Sequence, residues 1–157
     1  MKHKLVRTQQ LSCNIDTAWT FFSSPKKLEC ITPADMKFRI VTDLSDDGIY
    51  EGMIIDYKIS PLLGIPISWK TIITQVDEKK SFTDFQMNGP YKLWNHFHEF
   101  FENEQGVLMK DTVDYELPMG VVGDVFHSFI VRKKLNFIFE HRRQILEETF
   151  NQNKKII

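Results

Sequence analysis

The chain has 157 residues, thirteen of them Phe, and balances 20 Lys and Arg against 21 Asp and Glu. A net charge near zero excludes a general binder of phosphate backbones, which needs a basic excess, so no nucleic-acid partner is expected. Two cysteines, Cys13 and Cys30, are too few for a disulfide framework and too far apart for a thiolate metal site.

At this length the sequence reads as one domain, residues 1–157, able to bury roughly 70% of its unfolded surface without staples. The start, "MKHKLVRTQQLSC", is too charged for a secretory signal, and no apolar run approaches the roughly 18 residues of a membrane span. The expectation is a cytoplasmic protein with free thiols and no transmembrane segment.

Residues 3–12 read as a first strand. "NIDTAWTFFSS" then predicts a helix: Asn14 can cap it, Asp16 favours its positive start, and Ile15, Ala18, Trp19 and Phe22 fall at helical spacing. Trp19 is expected in the plain core. "SPKKLECITP" predicts a second short helix with Ser24 as cap and Pro25 at the first position. Six strand-like runs follow, "KFRIVTDL", "GMIIDYKIS", "ISWKTIITQV", "SFTDFQM", "LWNHFHEFF" and "VLMKDTVDYELP". The short turns "SDDG", "DEKK", "NGPY" and "NEQG" and the Pro/Gly-rich connection "PLLGIP" punctuate them. Closely spaced strands on short turns imply an antiparallel meander. A long helix, about 124–151, ends the chain, with Leu135, Ile138, Phe139, Arg142, Ile145, Leu146 and Phe150 along one stripe. "RKK" at 132–134 and "HRR" at 141–143 read as its solvated surface.

The stretch "GPYKLWNHFHEF", residues 89–100, alternates so that Trp94, His96, His98 and Phe100 share one pleated face. If Glu102 and Val107 flank the "NEQG" turn, Phe100 opposes Met109, His98 opposes Asp111, His96 opposes Val113 and Trp94 opposes Tyr115. Counting through "NGPY" sets Gln86 opposite Trp94, Asp84 opposite His96 and Phe82 opposite His98. This face is richer in rings and buriable groups than the one carrying Phe97, Glu99 and Phe101, so it is assigned to the concave side under the terminal helix. Buried carboxylates and imidazoles need partners, and His–Asp pairing supplies them. His96, His98, Asp84 and Asp111 form either a mutually satisfied structural group, a set of ligand anchors, or a proton-moving group. A metal on His96, His98 and Asp111 is weighed and set aside, because neither HExxH spacing nor a nearby Cys is present. The glycines of "PMGVVGD" bend the chain and form no phosphate loop, and no nucleophile motif appears.

Four segments, "IDTAWTFFSSPKKLECITP", "SFTDFQMNGPYKLWNHFHEF", "KDTVDYELPMGVVGD" and "LNFIFEHRRQILEETF", resemble an uncharacterised branch of the START/Bet v 1-like superfamily, the SRPBCC ligand-binding domains. The resemblance implies an α+β helix-grip fold: a curved, seven-stranded antiparallel sheet wrapped around a long C-terminal helix, with two short helices after the first strand. It also implies a small apolar or amphipathic ligand, of lipid, polyketide or aromatic type, held between sheet and helix. The cavity candidates are Trp94, His96, His98, Asp111, Tyr115, Trp69 and Tyr57, with Phe126, Phe129 and Ile130 on the lid side beside "PLLGIP". No metal, cofactor or catalytic residue is assigned. A cyclase- or dehydratase-like enzyme with a His as base, and a protein-interaction module without a ligand, stand as alternatives.

Overall fold

A computed structural model describes residues 1–44, 47–60, 64–118 and 130–152. Strand β1 (Lys2–Leu11) is followed by helices α1 (Ile15–Phe22) and α2 (Pro25–Cys30) and a 3₁₀ turn (Ala34–Met36). Then come β2 (Arg39–Ile40), β3 (Ile54–Ile59), β4 (Ile67–Asp77), β5 (Ser81–Asn88), β6 (Leu93–Asn103) and β7 (Gly106–Glu116). Helix α3 (Arg132–Leu146) continues into a π-helical turn, Glu147–Gln152. All seven strands form one antiparallel sheet in the order β1-β7-β6-β5-β4-β3-β2. This is the helix-grip arrangement that the resemblance implies.

Local chemistry explains most boundaries. Asn14 Oδ1 accepts a hydrogen bond from the Thr17 amide at 2.8 Å, closing the first turn of α1 as expected. Pro25 starts α2, but the Ser24 side chain makes no cap bond, so the proline's fixed φ sets that start without help from the hydroxyl. The strand expected from "KFRIVTDL" shrinks to Arg39–Ile40. Lys37 turns into the left-handed region (φ 45°), and the Val41 and Thr42 amides both bond Asp56 O, so the ladder stops there. Two residues, Thr74 on β4 and Met87 on β5, bulge out of the β4–β5 pairing and bend the sheet.

The concave face carries the core. One buried group gathers Tyr57, Trp69, Ile73, Trp94, Leu135 and Phe139, and a second gathers Leu11, Phe82, Phe100, Met109, Leu146 and Phe150. Trp19 packs edge-on against Phe82 and Phe100 in the second group, at 6.0 and 5.9 Å between ring centroids. The convex face is wet, with Glu99 and Lys110 paired across it at 2.7 Å.

Helix α3 is tied to one side of the sheet. Asn136 Oδ1 accepts from Arg7, Arg143 O accepts from Gln9 Nε2, and Asn151 accepts from the Ser12 amide and donates to Gln10 O. All four strand partners lie on or just after β1. Fastened at that edge, the helix leaves room over β3, β4 and β5.

Candidate functional site

The room is a cavity of about 680 Å³ between the sheet, α3 and the two short helices. Ile55, Tyr57, Trp69, Ile73 and Trp94 form its sheet wall, and Leu135, Ile138 and Phe139 its helix wall. Phe21, Phe22 and Leu28 close the side of α1 and α2. These positions are apolar because alternation on each strand puts every second residue on the concave face, and the helix repeat puts Leu135, Ile138 and Phe139 on its inner stripe.

One patch of the wall is polar. Asp84 from β5, His96 and His98 from β6 and Arg142 from α3 all reach it. The β5–β6 and β6–β7 registers set Asp84 opposite His96 and His98 opposite Asp111, as the turn counts predict, and Phe82 opposite His98. The pairing of β5 with β6 ends at Phe85 and Asn95, so Gln86 does not oppose Trp94. The Gln86 side chain instead donates to Tyr91 O at 2.6 Å and supports the turn.

The two imidazoles have ring centroids 3.8 Å apart with their planes tilted by 36°, and each lies close to both carboxylates. His98 Nε2 is 2.8 Å from Asp84 Oδ2, and His96 Nε2 is 3.0 Å from Asp111 Oδ1, both within hydrogen-bonding geometry. The remaining ring nitrogens are close but less well aligned: His98 Nδ1 at 2.8 Å from Asp111 Oδ1 and His96 Nδ1 at 3.5 Å from Asp84 Oδ2. Arg142 Nη2 is 3.5 Å from Asp111 Oδ2, and its guanidinium lies over the rings of Phe22 and Phe139. Among the described residues its Nε has no hydrogen-bond partner, and Nη2 also donates to Met109 Sδ at 3.9 Å.

Electrostatics divides the histidines. Burial opposes a charge on His98, but hydrogen bonding and attraction from Asp111 and Asp84 outweigh it and raise its pKa. Burial, with the neighbouring His98 charge, lowers that of His96. Burial also opposes charge on both carboxylates. For Asp84 the His96 and His98 rings overcome it, and for Asp111 Arg142 and the same rings do, so both stay below the usual carboxylate range. With His98 protonated and His96 neutral, two carboxylates face one guanidinium and one imidazolium, and the buried cluster carries no net charge. That balance makes a charged group tolerable inside an apolar core.

The other expected site residues divide clearly. Trp94, Trp69, Tyr57 and Ile130 line the cavity with His96 and His98. The Tyr57 hydroxyl pairs with Thr71 Oγ1 at 2.8 Å, while Trp69 Nε1 is buried without a hydrogen-bond partner among the described residues. Asp111 sits behind the imidazoles and does not reach the lining. Tyr115 is also away from it: it faces the β1 side of the helix and borders a smaller cavity of about 410 Å³ with His3, Leu5 and Arg132. The sheet order puts β7 next to β1, the strand to which α3 is tied, and away from β3 and β4. Phe126, Phe129 and residues 61–63 of "PLLGIP" lie outside the described residues.

Arg142 is the residue that sequence reasoning misplaced. "HRR" reads as solvated surface, yet Arg142 is only 7% exposed. Its position in the apolar stripe was the available signal, since a cation on a buried face needs a buried carboxylate, and Asp111 is one.

No family model matches the chain, and no curated protein matches it. Solved structures do. The ginseng major latex-like protein 151 from Panax ginseng aligns with a TM-score of 0.68 at 17% identity, over 96% of this chain and 98% of that one. Protein Ms6760 from Mycobacterium smegmatis aligns with a TM-score of 0.66 at 17% identity, over 93% and 92%. Protein CV1439 from Chromobacterium violaceum gives 0.70 at 10% identity, over 94% and 97%. At these identities the likeness establishes the fold, over nearly the whole of each chain.

Proposed function

We propose that the protein binds a small hydrophobic or amphipathic molecule in the cavity between its sheet and α3. The observation that carries this reading is a largely apolar space of about 680 Å³ whose wall carries the Asp84, His96, His98 and Arg142 patch. Ligand pockets of small molecules run to roughly 300–1,000 Å³, mostly apolar with a few polar anchors. Burial of the ligand's apolar body, at about 25 cal/mol per Å², drives association. His98, His96 and Arg142 orient its polar end. Trp69 Nε1 and Arg142 Nε are buried donors without acceptors among the described residues, and a ligand oxygen would satisfy either. The unpaired thiols of Cys13 and Cys30 fit a reducing, cytoplasmic setting.

Native mass spectrometry of the purified chain tests this. The expected result is a co-purifying lipid or aromatic molecule, or saturable displacement of an apolar fluorophore. A protein that takes up neither across fatty acids, polyketide-like aromatics and sterols is not a carrier of this class, which leaves the interaction-module alternative.

A raised-pKa His98 on the cavity wall favours a second reading, acid–base chemistry of the cyclase or dehydratase type. Its check is His98→Asn: turnover of an identified ligand that persists unchanged removes His98 from the chemistry.

A further inference from the structure

Asp84, His96 and His98 place three ligand-type atoms together, all within 4.8 Å of one another, on strands whose register fixes them. The two histidines are two residues apart on β6 and so share its concave face, and Asp84 faces His96 across the β5–β6 ladder. Asp84 Oδ2 is 2.8 Å from His98 Nε2 and 3.5 Å from His96 Nδ1. A tetrahedral centre with bonds of roughly 2.0–2.1 Å holds its ligand atoms about 3.4 Å apart, so small side-chain shifts suffice. Two acceptors also meet at this point. When His96 Nε2 donates to Asp111, His96 Nδ1 carries a lone pair and faces a carboxylate oxygen, an arrangement that a cation relieves.

We propose that Asp84, His96 and His98 form a site for one first-row divalent cation, zinc(II) being the representative ion, with its remaining coordination positions open to the cavity. Asp84, His96 and His98 all line that space, and the Asp84 side chain is 19% exposed. Two imidazoles and one carboxylate suit zinc, iron(II) or cobalt(II) rather than magnesium or calcium, which prefer all-oxygen shells.

The outer shell is already built. Asp111 Oδ1 lies 3.0 Å from His96 Nε2 and 2.8 Å from His98 Nδ1, the nitrogens that point away from the proposed ion. A carboxylate there, hydrogen-bonded to His96 and close to His98 Nδ1, fixes the His96 tautomer and holds its ring. Arg142 compensates Asp111 from the other side at 3.5 Å. A dication replacing the His98 proton leaves one positive charge over, which a bound hydroxide or a ligand oxyanion cancels. The sequence reading considered a metal on His96, His98 and Asp111 and set it aside for want of HExxH spacing or a nearby Cys; the fold instead brings Asp84 to the two histidines and leaves Asp111 behind them. The inference does not depend on the cavity holding an organic molecule.

The test uses the full chain, stripped with chelator and titrated with zinc chloride by calorimetry, and with cobalt(II) by absorption. The expected result is one equivalent of zinc and an intense visible cobalt(II) spectrum of a four-coordinate site. Asp111→Asn weakens binding by about 10–100-fold, and Asp84→Asn and His98→Gln weaken it by more, while His3→Ala and His141→Ala leave it unchanged. Wild-type protein that shows no saturable zinc binding overturns the proposal. So does binding that survives Asp84→Asn and His98→Gln, or is lost in His3→Ala or His141→Ala. Circular dichroism checks each variant's fold. If the cluster variants unfold, the wild-type cobalt(II) spectrum decides alone, and six-coordinate, weakly absorbing cobalt counts against the site. Protein that binds an apolar molecule but no metal leaves the ligand-binding reading standing and removes this one.

Discussion

Arg142 shows how a single residue can be structurally decisive and hard to read from its neighbours. Its guanidinium is buried against Phe22 and Phe139 and pairs with Asp111, which is itself buried beneath two imidazoles. Removing one member of such a pair strands the other charge, so Arg142→Ala is expected to destabilise by about 3–5 kcal/mol in urea denaturation. Arg142→Met with Asp111→Asn should cost less than the two single changes added together, because no bare charge remains. The same cluster sets a pH dependence for metal-free protein. His98 is favoured in its charged form by the fold. Its contribution is therefore complete below the ordinary 6.5 and is lost as pH rises through its raised folded value. His96, held neutral, acts oppositely: its contribution is present above 6.5 and is lost on acidification. Asp84 and Asp111 contribute fully above 3.8 and lose that contribution as pH falls through their lowered folded values. The stability deficit of His98→Gln should accordingly be largest below pH 6.5 and narrow above it, as read from urea midpoints across pH.

Among the elements, the β6–β7 hairpin is the best specified. Its alternation and its two-residue turn fix every pairing from Leu93↔Glu116 to Asn103↔Gly106, and those pairings are legible from turn counting. Gly106 makes the turn possible: its φ is 123°, and a Cβ there would stand 2.3 Å from Leu11 O and 2.8 Å from Cys13 O. Gly106→Ala must push β1 away as well as strain the backbone, so a loss of at least about 1–3 kcal/mol is expected, visible as a lowered Tm. β2 was less legible because it pairs for only two residues, and the local amide bonds to Asp56 that end it leave no pattern in the sequence. The bulges at Thr74 and Met87 are equally silent, although they curve the sheet.

For the whole molecule, the polar cluster lies between the two apolar groups of the core, and the cavity lies between the sheet and an α3 that is tied to β1 by hydrogen bonds. Filling that space separates cavity function from fold. Ile138→Trp projects from the helix wall into the cavity and should weaken uptake of an apolar probe about tenfold or more, equivalent to 1.4 kcal/mol, while a cooperative melt persists. A variant that binds the probe as well as wild type would place the probe elsewhere on the protein. The sequence by itself determined the element order, the concave face of β6 and the pairing of His98 with Asp111, because side-chain period and turn length act locally and leave a readable pattern. Only the tertiary structure decided that Arg142 meets Asp111, and that Tyr115 and Asp111 stand away from the cavity. Those outcomes depend on where a distant helix is tethered and which strands become neighbours, and no local pattern in the chain encodes either.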